Sequence, residues 1–272
     1  MHAVSRWFVR HVSRKARPYL ASYGLLQTVK IKPALLWEPG AQRVLVLSPH
    51  FDDETIGCGG AIVRHVQKGA EVRVVFFTDG RFGSGALAKL EGAERRLHQE
   101  SLMTVRKQEA AAALRTLGVT EGVYLDAVET MLGSDSTLPS RLGKILDDVR
   151  PEVVYLPFFL EEHPDHRAVG RALLDATRGR GYRFDCIGYE VWTPLFPNCL
   201  VEIDSVVELK KRALSQYVSQ LADKDYVHTA LGLNAYRSSH LQRRKGYVEA
   251  FYMAGLEEYR RLYESCGPLL GI

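Results

Sequence analysis

The stretch Val44-Leu45-Val46-Leu47-Ser48-Pro49-His50-Phe51-Asp52-Asp53-Glu54 decides the fold of this chain. Its four consecutive apolar residues, two of them β-branched, predict a strand that is buried on both faces. Pro49 ends that strand, and an imidazole and three carboxylates follow it directly. Ionised carboxylates are costly to bury unless they are paired or bound to a cation. The end of this strand is therefore predicted to be a metal or catalytic site.

A second polar cluster follows a second strand-like run. Glu161-Glu162-His163-Pro164-Asp165-His166 comes just after Val153-Val154-Tyr155-Leu156-Pro157. In an open α/β sheet the carboxyl ends of parallel strands meet at one edge, where ligands bind. The two clusters are therefore expected to build a single site at that edge.

Outward from these motifs, strand and helix patterns alternate along the chain. The predicted strands are 44–48, 71–78, 123–125, 153–156, 186–191 and 200–203, and the predicted helices are 55–68, 104–117, 138–149, 167–177 and 206–221. Residues 79–103 are predicted to be a long polar connection or lid, with a short helix over 91–99. Strands separated by helices imply right-handed crossovers. The predicted fold class is α/β, a Rossmann-like three-layer α/β/α sandwich with a mostly parallel sheet.

Length and composition limit the function classes. The chain has 272 residues, 46% of them hydrophobic, and a net charge of +4, and it has no dense basic run interleaved with aromatics. These values predict a globular domain over residues 41–272 and argue against a nucleic-acid partner. The four cysteines are far apart and form no CxxC pair, which favours a reducing, cytoplasmic compartment. No apolar stretch is long enough to predict a transmembrane helix.

Residues 1–40 are predicted to be a basic N-terminal extension, helical in its first part. Five basic residues lie in the first 17 positions, and Trp7 and Phe8 stand near helical spacing with other apolar residues. There is no apolar core or cleavage site of a signal peptide. The helix either packs on the domain or makes peripheral contact with an anionic membrane surface.

The residue types in the two clusters suit metal-assisted hydrolysis. A catalytic zinc takes three ligands from His, Asp or Glu and keeps one position open. Adjacent Asp52 and Asp53 point in different directions, so one can bind the ion while the other acts as general base. In the second cluster, His163 and His166 suit one ligand and one acid or oxyanion stabiliser. These arguments do not decide which member of each pair has which role.

Pro49–Glu54 and His163–His166 resemble the two signature motifs of the LmbE-like (PIG-L) family of zinc-dependent N-acetylglucosaminyl deacetylases. Weaker similarity continues through Thr78-Asp79-Gly80 and Arg106-Lys107-Gln108-Glu109, so that it spans about residues 43–222. Phe51 departs from the family pattern, in which Pro is frequent at this position.

The resemblance implies a role for each residue of the site. His50, Asp53 and His166 would hold one zinc ion per chain. Asp52 would be the general base, and His163 would stabilise the tetrahedral intermediate and the leaving amine. The supporting residues would be Asp165, which orients a histidine, Glu54, which steadies the loop, and Arg106 and Asp79, which contact substrate. The implied activity is the removal of an N-acetyl group from an amino-sugar or glycan substrate.

Two alternatives remain open. A metal-dependent hydrolase of another amide or ester would keep the ligands and change the pocket. A nucleotide-binding Rossmann module is the other, but Gly57-Cys58-Gly59-Gly60 lacks the third glycine of the dinucleotide fingerprint and follows a cluster of carboxylates. The sequence does not decide the sugar or whether the chain forms an oligomer.

Overall fold

A computed structural model describes residues 33–241 and 245–270 of the chain, with side chains described up to residue 266. The predicted N-terminal helix lies outside the described residues. Of the predicted extension, residues 35 and 36 form a short strand at the edge of the sheet. Within the described parts of the chain, no helix has the length and apolar character needed to cross a membrane.

All six predicted strands are present. The sequence did not predict the strands Leu35–Leu36 and Val248–Gly255 or the helices Tyr226–Arg237 and Leu256–Leu270. The strands are β1 (Leu35–Leu36), β2 (Arg43–Ser48), β3 (Glu71–Thr78), β4 (Gly122–Ala127), β5 (Val153–Pro157), β6 (Asp185–Tyr189), β7 (Cys199–Glu202) and β8 (Val248–Gly255). The helices are α1 (Asp53–Gln67), α2 (Gly92–Leu117), α3 (Leu138–Val149), α4 (Pro164–Ala176), α5 (Val207–Leu214), α6 (Val218–Leu221), α7 (Tyr226–Arg237) and α8 (Leu256–Leu270).

The sheet has the strand order β1-β7-β8-β6-β5-β2-β3-β4. Its strands run parallel except β8, which is antiparallel to both β6 and β7. Strands β2 and β5, which precede the two polar clusters, are direct neighbours in parallel register. The two clusters therefore emerge side by side at the carboxyl edge of the sheet, as predicted.

Helices cover both faces of the sheet, which confirms the three-layer α/β/α prediction. Helices α3, α4 and α8 pack on one face, and α1, α2, α5 and α7 pack on the other. Successive residues of β2 serve opposite layers: Leu45 and Leu47 belong to the first core, whereas Val44 and Val46 belong to the second. This alternation is why the strand has no polar face and reads as an unbroken apolar run.

The prediction of a long connection over residues 79–103 was wrong. Helix α2 begins at Gly92 and runs for 26 residues, so that only residues 79–91, with a 3₁₀ turn at Gly85–Lys89, connect β3 to it. The first turns of α2 are mostly exposed and carry no apolar stripe, but they are rich in strong helix formers such as Glu, Arg, Leu and Gln. The absence of hydrophobic periodicity hid the helix.

The prediction of a single helix over residues 206–221 was also wrong, because this segment forms two helices, α5 and α6. The chain leaves helical geometry at Tyr217 (φ −82°, ψ 57°). That residue is buried, and its hydroxyl donates a hydrogen bond to the carboxylate of Glu54. The break between the two helices thus coincides with a contact between residues distant in sequence.

Candidate active site

The turn that carries the first cluster is tightly constrained. It connects β2 to α1, and Asp52 within it has φ 121° and ψ −29°, a strained conformation for a residue other than glycine. The backbone amide of His50 donates to Asp53 Oδ2 at 3.0 Å, and the amide of Asp52 donates to Glu54 Oε2 at 3.3 Å. The side chains of the motif therefore hold its own backbone and send neighbouring carboxylates to different sides.

Three predicted ligand atoms form a compact triangle. Asp53 Oδ2 lies 3.0 Å from His50 Nδ1 and 3.2 Å from His166 Nε2. The two histidine nitrogens are 3.3 Å apart. All three side chains are buried, and they come from the two clusters that the strand order brings together. The predicted ligand set is thus assembled in space.

The triangle has dimensions suited to a tetrahedral metal ion. Ligand atoms about 2.0–2.1 Å from a tetrahedral zinc lie about 3.3 Å from one another. The donors are two imidazole nitrogens and one carboxylate oxygen, which is a donor set that zinc accepts. Within the described chain, nitrogens of His50, His163 and His166 also lie within 4.8 Å of one another, so that His163 borders the same position.

The electrostatics of the triangle are those of a cation site. Burial lowers the pKa of His50, but hydrogen bonds to Asp165 and Asp53 outweigh it and raise the pKa to about 10. Burial likewise opposes the charged form of His166, but Asp53 and Glu161 raise its pKa to about 9. Burial alone would raise the pKa of Asp53, yet the charge of His166 and hydrogen bonds from both imidazoles hold it far below its usual range. A divalent cation would take the place of the imidazole protons.

Asp52 stands beside the triangle and does not join its hydrogen bonds. It is buried, and its Oδ2 lies 3.9 Å from Nη2 of Arg106. Burial, followed by the negative charge of Asp53, raises the pKa of Asp52 well above its usual value. A carboxyl group with a raised pKa in a cleft is the environment of a general base that must also release its proton.

His163 forms the opposite side of the site. Its Nδ1 accepts a hydrogen bond from the backbone amide of Asp165 at 3.2 Å and so caps α4, with Pro164 in the first turn. This bond leaves Nε2 to carry the proton of the neutral ring. Burial, together with the positive charges of His50 and His166, lowers the pKa of His163 to about 4.

A carboxylate stands behind each imidazole of the triangle. Asp165 Oδ2 lies 3.3 Å from His50 Nε2 and also accepts a hydrogen bond from the amide of Thr130. Glu161 Oε2 lies 3.5 Å from His166 Nδ1. Such carboxylates orient metal-site histidines and raise their basicity. Asp165 occupies the position that the resemblance implies, whereas sequence reasoning assigned no role to Glu161, although it belongs to the same acidic run.

Sequence reasoning missed a second carboxylate, Glu129, which lies just beyond the end of β4. Its Oε1 is 3.9 Å from His50 Nε2 and 3.9 Å from Arg106 Nη1, and its Oε2 accepts from the amide of Phe82. The neighbouring Thr130 has a φ of 69°, in the left-handed region. The strand-end rule that found the other clusters would have pointed here, but Glu129 is a single acidic residue without an adjacent histidine.

The remaining predicted residues lie beneath or beside the site. Arg106 is only 2% exposed and donates to the backbone oxygens of Phe51 and Gly80. The carboxylate of Asp79 is hydrogen-bonded to Arg81. Glu54 is fully buried, and it accepts from the hydroxyls of Ser48, Thr55 and Tyr217.

Comparison with known proteins agrees with this geometry. The profile of the family described as PIG-L: GlcNAc-PI de-N-acetylase matches residues 45–177. The diacetylchitobiose deacetylase of Thermococcus kodakarensis is 30% identical over 200 residues, 67% of this chain and 71% of that protein. A 1D-myo-inositol 2-acetamido-2-deoxy-alpha-D-glucopyranoside deacetylase of Mycobacterium sp. (strain KMS) is 35% identical over 144 residues, 46% of each chain.

A solved structure has the same architecture. N,N'-diacetylchitobiose deacetylase from Pyrococcus horikoshii, complexed with its inhibitor, matches with a TM-score of 0.69 and 25% identity over 80% of this chain and 86% of that one. By its sequence, its fold and the motifs at the ends of β2 and β5, the chain belongs to the PIG-L family of deacetylases.

Proposed function

We propose that this protein is a zinc-dependent N-deacetylase that hydrolyses the acetamide of an N-acetylglucosamine-type sugar. The observation that carries the proposal is the triangle of His50 Nδ1, Asp53 Oδ2 and His166 Nε2, with edges of 3.0–3.3 Å, flanked by Asp52 and His163. The printed names of the relatives, which are deacetylases of diacetylchitobiose and of an acetamido sugar joined to inositol, support the substrate class.

His50, Asp53 and His166 would hold the ion, one per chain. When bound, the ion supplies Lewis-acid chemistry, which polarises the acetyl carbonyl and lowers the pKa of water. The carboxylates of Asp165 and Glu161 keep the two imidazoles oriented toward the ion from behind.

Asp52 acts as the general base. In its ionised form it accepts a proton from the attacking water, while the water oxygen forms a bond to the acetyl carbon. The contacts within the ligand triangle join His50, Asp53 and His166 and do not involve Asp52, so that its carboxylate is free to take this proton. Arg106, 3.9 Å away, favours the ionised form that the step requires.

His163 acts on the other side of the acetyl group. Its Nε2 proton is available to the oxyanion of the tetrahedral intermediate. Collapse of that intermediate breaks the carbon–nitrogen bond, and the amine leaves with the proton that Asp52 took from water. The products are acetate and the free amino sugar.

We further propose that Arg106 and Asp79 belong to the substrate side of the site. The Nη atoms of Arg106 lie 3.9 Å from carboxylate oxygens of Asp52 and Glu129, at the floor of the site. Asp79 precedes Gly80, whose carbonyl Arg106 binds, and is fixed by Arg81.

We also propose a reducing, cytoplasmic setting. It is supported by four buried free thiols, those of Cys58, Cys186, Cys199 and Cys266.

The test is acetate release by zinc-loaded protein from a panel of N-acetylated substrates. The panel contains N-acetylglucosamine, its β1,4-linked disaccharide, and N-acetylglucosaminides of inositol and malate, with N-acetylated amino acids as amide controls. We expect release from at least one amino sugar, and we expect its rate to fall about 10²- to 10⁴-fold in Asp52→Asn. Turnover confined to the amino-acid amides would replace the sugar substrate with another amide.

A further inference from the structure

Two aromatic side chains form a wall at the rim of the site. Trp192 is 39% exposed, and its ring centroid lies 5.6 Å from that of half-buried Tyr226. The ammonium of Lys224 lies over the indole, 4.0 Å from its centroid. This aromatic rim, Trp192 and Tyr226 with Lys224, has no role in the chemistry described above.

The rim is fastened to the proposed metal ligands. The backbone amide of Trp192 donates to both carboxylate oxygens of Glu161, at 3.1 and 3.2 Å. Glu161 in turn faces Nδ1 of His166 at 3.5 Å. In addition, the amide of Glu162 donates to the hydroxyl of Thr193. The backbone of Trp192 is thus one carboxylate away from a proposed ligand, on the loop that follows β6.

Tyr226 approaches the site from the start of α7. Burial raises the pKa of its hydroxyl to about 12, and the next largest cause is the negative charge of Asp52, which places the phenol within electrostatic reach of the general base. The other end of α7 is tied to the same loop through a buried ion pair between Arg237 and Glu190. Two attachments to one loop make the rim a preformed surface.

We infer that the aromatic rim is a subsite for a second sugar ring attached to the N-acetylated one, and this inference rests on the proposed function. The faces of a β-linked pyranose carry axial C–H groups, which pack against aromatic rings. Aromatic side chains contribute large apolar contact areas, and ligand sites are lined mainly by hydrophobic and aromatic side chains with a few polar groups. The substrate class is accordingly an oligosaccharide or glycoside, and a free monosaccharide would leave the rim unused.

The experiment measures binding and turnover separately. The probes are chitobiose, the deacetylated β1,4-linked disaccharide, and glucosamine, each titrated into metal-loaded protein and followed by tryptophan fluorescence and saturation-transfer NMR. We expect Trp192→Ala to weaken chitobiose binding about tenfold, as expected for the loss of one aromatic contact, and glucosamine binding less than twofold. Trp192→Phe should retain most of the affinity for chitobiose.

A matched control lies on the same helix as Tyr226. Tyr236 is 66% exposed and also aromatic, and Tyr236→Ala should leave both affinities unchanged. In turnover assays, Trp192→Ala should raise KM for the acetylated disaccharide with little change in kcat, and it should spare N-acetylglucosamine. Equal losses for the one-ring and two-ring probes, or no loss in either, would overturn the subsite.

Failure of the subsite and failure of the proposed function give different results. Binding of chitobiose that depends on Trp192, without acetate release from any substrate, would uphold the subsite and overturn the deacetylase. Acetate release from the disaccharide that is unaffected in Trp192→Ala would uphold the deacetylase and overturn the subsite.

Discussion

Asp52 and Asp53 are adjacent in the chain, yet their carboxyl groups have pKa values shifted in opposite directions. Burial disfavours the charged form of both. Hydrogen bonds from His50 and His166 offset the cost of burying the negative charge of Asp53. The nearest cation to Asp52, in contrast, is Arg106 at 3.9 Å. The positive φ of Asp52 separates the two environments, so that chemically identical neighbours are suited to different tasks.

The first prediction concerns this pair. Asp52→Asn should keep the metal and the fold, with turnover lowered about 10²- to 10⁴-fold, which is the usual contribution of a positioned general base. Asp53→Asn should lose metal affinity and regain part of its activity in excess zinc. Metal analysis and kinetics on both variants decide the matter, and metal loss in Asp52→Asn alone would reverse the two roles.

The second prediction separates the two neighbouring histidines. His166→Ala should empty the site, because it removes one corner of the ligand triangle. His163→Ala should keep about one equivalent of zinc and lose turnover. Plasma mass spectrometry on dialysed protein measures the metal. Zinc loss in His163→Ala with retention in His166→Ala would instead support a ligand set that includes His163.

The third prediction is a pH dependence of metal binding. In the metal-free protein the pKa of His50 is about 10 and that of His166 is about 9, so that both rings are protonated at neutral pH. An incoming cation must displace these protons, and its apparent affinity should therefore rise with pH up to about 10. Calorimetry in buffers of different ionisation enthalpy should detect proton release on zinc binding, and no release at pH 7 would contradict the assignment.

The fourth prediction concerns Arg106. Its positive charge lowers the pKa of Asp52 against the larger effect of burial, so Arg106→Gln should raise that pKa further. Because the base must be ionised to accept a proton, the acid limb of the pH–rate profile should move to higher pH. Thermal unfolding controls for lost hydrogen bonds to Phe51 and Gly80. If the variant is folded and the acid limb stays at the same pH, Arg106 does not influence the pKa of Asp52.

The fifth prediction concerns a buried ion pair behind the site. Lys210 Nζ lies 2.7 Å from Glu249 Oε1 and also donates to the backbone oxygen of Ile56. Glu249 in turn accepts from the amides of Gly60 and Ala61, just after α1 departs from helical geometry at Cys58. The pair thus supports both sides of this kink.

Removing only one partner leaves the other partner's charge buried and unpaired. Lys210→Met should destabilise the protein by about 3–5 kcal/mol, a loss of about 10 °C in Tm for a chain of this size. The double variant Lys210→Met/Glu249→Gln should recover part of the loss. Differential scanning calorimetry measures both, and a Tm unchanged in Lys210→Met would show that the pair contributes little.

Local pattern by itself determined much of this protein. The apolar run from Val44 to Leu47 and the polar clusters after two strands predicted a parallel sheet with one site at its carboxyl edge. These inferences hold because side-chain alternation and strand ends are local properties, and parallel strands must bring their carboxyl ends to one side.

Only the tertiary structure decided what depends on distant contacts. The break between α5 and α6 lies at Tyr217, whose hydroxyl donates a hydrogen bond to the distant Glu54. Glu129 joins the site because β4 ends beside it. Helix α2 starts earlier than predicted because a solvated helix needs no apolar stripe. Neighbouring aspartates acquire different environments only when His166, which is remote in sequence, reaches one of them. The sequence shows which polar groups are present and where they lie along the chain. Their pKa values and partners depend on burial and proximity, which exist only in the folded chain.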